Sequence, residues 1–89
     1  MTEHEKLLRK IVSTDSDADI WFHGMCSVLR RLGFQERMKG NHHIFTRDQV
    51  QEILILQSKA IDKAKPYQVR QVREIILNYR LGGSEESGQ

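Results

Sequence analysis

Apolar residues recur along this chain at two different periods. In residues 3–12, EHEKLLRKIV, Leu7, Leu8, Ile11 and Val12 fall at helical spacing, which predicts a short amphipathic helix. Residues 13–19, STDSDAD, are polar and rich in capping residues and read as a loop, with Ile20 an extended residue at its end. From Phe22 the helical period returns: Phe22, Met25, Cys26, Leu29 and Leu32 share one stripe, and Gly33 fits a left-handed C-terminal cap. Gly24, inside this helix, is about 1 kcal/mol less favourable there than alanine.

The period then shortens. Phe34 to Lys39 alternates Phe34, Glu36 and Met38 against Gln35, Arg37 and Lys39, as a strand does. Gly40-Asn41 suits a tight turn, and His42 to Thr46 is β-compatible. Arg47-Asp48-Gln49 makes a second turn. Glu52 to Leu56, EILIL, is apolar on both faces and is expected as a well-covered strand.

Residues 57–65, QSKAIDKAK, form a basic connection, and Pro66 sits where a first helical residue belongs. Val69, Val72, Ile76 and Tyr79, with Ile75 beside them, mark an amphipathic helix that Gly82-Gly83 would end. SEESGQ reads as a disordered tail. The order is helix, helix, three strands, helix, and three antiparallel strands laid on helices make an α+β sandwich.

Composition narrows the picture only slightly. The 89 residues suit one domain, of 38% apolar and 29% charged residues, and the pattern is that of a folded, soluble chain. A domain this small has no room for both a core and a deep pocket, so a shallow site and a polymeric substrate are expected. No apolar run approaches the roughly 20 residues that cross a membrane. The charged N-terminus lacks the apolar centre of a secretion signal, and the lone Cys26 cannot form an internal disulfide; together these point to the cytoplasm. Cys26 reads as a small core residue.

The formal charge is only +2, but it is unevenly spread. Residues 1–19 carry Glu3, Glu5, Asp15, Asp17 and Asp19 against Lys6, Arg9 and Lys10. Residues 30–47 carry Arg30, Arg31, Arg37, Lys39 and Arg47 against Glu36 alone, and residues 57–80 are again basic. Such regions suit a polyanion as well as they suit plain solvation.

The two adjacent histidines, His42 and His43, are the most conspicuous chemistry. Adjacent strand residues point to opposite faces, so the two are not expected to bind one metal ion. They fit either as half-exposed strand residues or as an acid–base centre, since imidazole titrates near neutral pH. Beside basic side chains, an imidazole could move the proton of an RNA 2′-hydroxyl. One conflict stands: alternation places His42 on the face of Ile44, so a buried Ile44 would turn His42 inward.

Leu32-Gly33-Phe34 followed by Gly40-Asn41-His42-His43-Ile44-Phe45 resembles the HicA-type toxins, small ribonucleases of bacterial toxin–antitoxin pairs. The resemblance continues through EILILQ and AKPYQVRQVREII and spans roughly residues 20–81. It implies a double-stranded-RNA-binding-like α-β-β-β-α fold and cleavage of mRNA without metal or other cofactor. It maps the catalytic histidine onto His42 and gives His43 a supporting place. It also implies a cognate antitoxin of the HicB type. Residues 1–19 are then an addition, 20–82 the RNA-binding and nuclease domain, and 83–89 a tail. Gln57-Ser58-Lys59 stands where the family often has a histidine, so no second one is supplied.

The candidate RNA contacts are Lys39 and His43, the backbone of Gly40 and Asn41, and Lys59 and Lys65 near the last helix's N-terminus. Lys63 belongs to the same loop. Arg70 and Arg73 read as solvated. Two other classes remain open, a non-catalytic RNA-binding module and a small protein-interaction domain.

Overall fold

A computed structural model describes residues 2–13, 17–59 and 61–82; the expected tail and the middle of the acidic loop lie outside them. The elements are α1 (Glu3–Val12), α2 (Phe22–Arg31), β1 (Gln35–Lys39), β2 (His42–Thr46), β3 (Leu54–Leu56) and α3 (Pro66–Asn78). The strands form one antiparallel sheet in the order β1-β2-β3. The chain is thus a small α+β domain of three helices and a three-stranded sheet. None of its described helices is long and apolar enough to cross a membrane.

Several helix ends have a local cause. α1 opens with a capping box: the Thr2 hydroxyl accepts from the Glu5 amide at 3.1 Å, and the Glu5 carboxylate accepts from the Thr2 amide at 3.0 Å. α2 closes as the sequence predicts. Gly33 has φ +99°, its amide donates to Arg30 O, and the Phe34 amide donates to Leu29 O. Phe34 is thereby used in the cap, and β1 begins one residue later than expected, at Gln35. α3 starts on Pro66 but stops at Asn78, before Gly82. Arg80 takes the left-handed position itself, at φ +55°, with the Leu81 amide donating to Ile76 O.

The N-terminus of α2 is capped from a distance. Asp62, in the connection to α3, accepts the Phe22 amide on its backbone carbonyl at 2.8 Å and the His23 amide on its carboxylate at 3.2 Å. This ties the basic 57–65 connection to α2.

The core is shared by all three helices and one face of the sheet. Ile11 of α1, Met25 and Leu29 of α2, Phe45 of β2, Leu54 and Leu56 of β3, and Val69, Val72 and Ile76 of α3 are all fully or almost fully buried. α1 is therefore part of that core. Gly24 allows its approach, because a Cβ there would come within 2.6 Å of Leu7 Cδ2.

Two expectations are corrected. Arg73 is not solvated: it is 8% exposed and its Nε–H donates to Ile11 O at 2.9 Å, while its guanidinium pairs with Asp17. Arg73 closes the last turn of α1 onto α3, a long-range need that a helix pattern does not display. β3 is not covered on both faces either. It spans only Leu54–Leu56, and Ile53 and Ile55 are 57% and 54% exposed. The described helices pack against one side of the sheet, so among the described residues its other side has no covering layer.

Candidate nucleic-acid interface at the β-hairpin

Directly paired residues of antiparallel strands share a face. Glu36, Phe45 and Leu54 form one row, and Met38, His43 and Leu56 another; both belong to the core face. Arg37, Ile44 and Ile55 form a row on the open face, joined there by the pairs Lys39–His42 and Gln35–Thr46. Ile44 is only half-buried, so the conflict over His42 is resolved: Ile44 belongs to the open face, and His42 stands beside it in solvent.

His42 and Lys39 are cross-strand partners flanking the two-residue turn Gly40-Asn41. Gly40 has φ +61°, a value that favours glycine, and a Cβ there would meet nothing within 4 Å. The turn therefore needs glycine for its backbone, and that backbone is open to an approaching group. Arg37 lies one row further along the same face. Among the described residues no hydrogen bond holds the His42 ring. The open face thus presents an exposed imidazole, an ammonium, a guanidinium and two isoleucines. Depressions of about 350 Å3, lined by Gly33, Gln35 and Arg47, and about 490 Å3, between α1 and α2, do not include His42.

His43 is turned the other way. Its ring packs edge-on against Phe22, with centroids 4.9 Å apart, and its Nδ1 lies 2.5 Å from a Glu36 carboxylate oxygen. Glu36 also takes a hydrogen bond from Arg30. Partial burial resists ionisation of Glu36, but the hydrogen bonds from His43 and Arg30 outweigh it and hold the carboxyl below its usual range. A polymer on the open face does not reach His43 directly; its place is to fasten β2 to β1 and α2.

The basic connection is only partly available. Lys63 Nζ sits 4.1 Å from the centre of the Trp21 ring and 3.4 Å from Asp19, so it is engaged within the fold. Lys59 is exposed and pairs through its backbone with Lys63. Lys65 is half-buried at the N-terminal cap of α3, a helix with no acidic residue in its first turn. β3 pairs Leu56 with His43, so the chain enters this connection at the hairpin end of the sheet.

Sequence reasoning did not bring Cys26, Glu36 and His43 together. Ligand atoms of all three lie within 4.8 Å of one another, between α2, β1 and β2. Parity carried a signal: Glu36 alternates in step with Phe34 and Met38, and His43 in step with Phe45. Burial, with a smaller contribution from the charge of Glu36, pushes the Cys26 thiol up to about 12, which makes it inert as a nucleophile.

No protein-family model, curated protein or solved structure matches this chain.

Proposed function

We propose that this protein is an RNA-binding endoribonuclease resembling the HicA-type toxins, with His42 as its catalytic base and a double-stranded-RNA-binding-like arrangement of α2, the sheet and α3. The observation that carries this reading is the placement of the His42 ring: exposed on the open face, paired across the hairpin with Lys39, next to a turn whose backbone is unobstructed.

The chemistry follows from those groups. The His42 imidazole takes the proton of a ribose 2′-hydroxyl, and the 2′-oxygen bonds to the adjoining phosphorus. The bond from phosphorus to the 5′-oxygen breaks, that oxygen takes a proton from water, and the protonated His42 gives its proton to the hydroxide left behind. Lys39 and Arg37 offset the charge that builds on the non-bridging phosphate oxygens. The step needs no metal, and an exposed sheet face suits a strand of RNA better than a small molecule. In this reading an antitoxin would act by covering His42 and the basic groups beside it, with an acidic surface complementary to them.

The exposed Ile53, Ile55 and half-buried Ile44 favour a second reading, a protein-docking face. Incubation of RNA with wild-type and His42→Ala protein in the presence of chelator separates the two. Cleavage by the wild type that falls by about 10²–10⁴-fold in the variant supports the nuclease. Equal cleavage by both, or none by either, contradicts it. Salt-sensitive RNA binding without cleavage leaves a binding module, and absence of RNA affinity leaves the docking face.

A further inference from the structure

On the core side of the sheet, behind the hairpin, a carboxylate and an imidazole share their rows with the buried Phe45, Leu54 and Leu56 and the exposed Met38. Polar groups in such rows need a reason. Part of it is the Arg30–Glu36–His43 chain of hydrogen bonds. That chain does not account for Cys26, whose sulfur comes within 4.8 Å of a ligand atom of Glu36 and of His43 from a third element.

We infer that Cys26, Glu36 and His43 form a binding site for a thiophilic divalent cation, of which zinc is the biological representative. Sulfur, imidazole nitrogen and carboxylate oxygen are the donor types that zinc takes, at about 2.0–2.3 Å. Around a tetrahedral ion of those bond lengths the donors stand about 3.5 Å apart, so the Cys26 sulfur closes on the other two by little more than ~1 Å, while Glu36 and His43, now 2.5 Å apart, open by about 1 Å as their hydrogen bond gives way to the ion. The site comes from α2, β1 and β2, each held by the core, so it is largely formed before an ion arrives. Glu36 and His43 side chains are 18% and 27% exposed, so the cluster is not sealed from solvent on their side.

Charge explains why the ion must be divalent and thiophilic. A thiolate, a carboxylate and a neutral imidazole bring two negative charges, and a divalent ion cancels both. Burial disfavours the bare thiolate, so only a metal that itself displaces the thiol proton can use Cys26. Arg30 competes for the same carboxylate. Its side chain is about half exposed, so it can turn into solvent when the ion takes its place.

The inference is independent of the RNA reading, because His42 faces the other side of the sheet. Full-length protein stripped with chelator would be titrated with zinc against a chromophoric competitor, and with cobalt by absorption. The expected result is one ion per chain, with a sulfur-to-cobalt charge-transfer band in the near ultraviolet. Affinity should fall by at least about tenfold in Cys26→Ala, Glu36→Gln and His43→Gln, a loss that even outer-sphere changes reach. His42→Ala and His23→Ala should bind as the wild type does. Arg30→Met should bind more tightly, which a purely structural role for the cluster would not produce. Absence of the charge-transfer band in wild-type protein overturns the site, whether or not Cys26→Ala folds. Retention of wild-type affinity in Glu36→Gln and His43→Gln overturns it as well.

Discussion

Replacing Arg73 by methionine tests how α1 is joined to the rest of the domain. Methionine keeps most of the aliphatic packing and removes the guanidinium. The lost bond runs from Arg73 Nε–H to the carbonyl of Ile11, 2.9 Å away in the last turn of α1. Hydrogen bonds from charged groups contribute about 1.5–3 kcal/mol. Asp17 loses its closer partner and, among the described residues, keeps Arg70, at 3.6 Å and more than half exposed. Breaking a well-buried ion pair costs about 3–5 kcal/mol, and Asp17, one-fifth exposed, recovers part of that from water. The expected loss is about 2–4 kcal/mol. A domain of this length has about 4–13 kcal/mol in total, so about 15% or more would go. Thermal melts followed by circular dichroism should show Tm lower by about 10–25 °C. Urea titration should show a lower midpoint at unchanged slope. Arg70→Met, by contrast, should change stability by less than about 0.5 kcal/mol. A loss below about 0.5 kcal/mol in Arg73→Met would refute the reasoning and return α1 to the status of a loosely attached addition.

Three further outcomes are expected. Gly33→Ala should destabilise by about 1–2 kcal/mol from the left-handed backbone alone, and by more if Arg47 cannot shift, since its Nε would lie 3.1 Å from the new Cβ; urea denaturation measures it. Because Glu36 is held below its usual range in the folded protein, its contribution is fully present above the ordinary glutamate value and is lost as pH falls through the lower folded one. Stability curves of wild type and Glu36→Gln should therefore converge on acidification, and parallel curves would contradict the Glu36–His43–Arg30 account. Lys39→Ala should weaken RNA binding evenly across sequences and reduce the slope of log K against log salt by about 1; an unchanged slope removes Lys39 from the interface.

Local features of this fold could be read from local sequence. Leu32-Gly33-Phe34 carries both the positive φ and the two bonds that end α2, all within a few residues. Gly40-Asn41 sets the hairpin, and β2 has its expected bounds. What escaped was non-local. Arg73 looks solvated on its own helix, and its partners are 62 and 56 residues away in sequence. Ile53 to Leu56 is apolar at every position, so its pattern cannot tell that helices cover one face only. The site was half legible. That His42 faces outward depends on whether Ile44 or Phe45 is core, and a single apolar pair leaves that choice open until packing makes it. The same choice turns His43 inward toward Glu36 and Cys26, a meeting of three elements that no spacing announces.

The nature of the RNA ends tests the central claim most directly. A short RNA cleaved in chelator should yield a 2′,3′-cyclic phosphate on one fragment and a 5′-hydroxyl on the other. A 2′-deoxy residue at the scissile position should block cleavage, as should His42→Ala. Fragments ending in 5′-phosphate, or cleavage that survives removal of the 2′-hydroxyl, would contradict attack by the 2′-oxygen with His42 as its base.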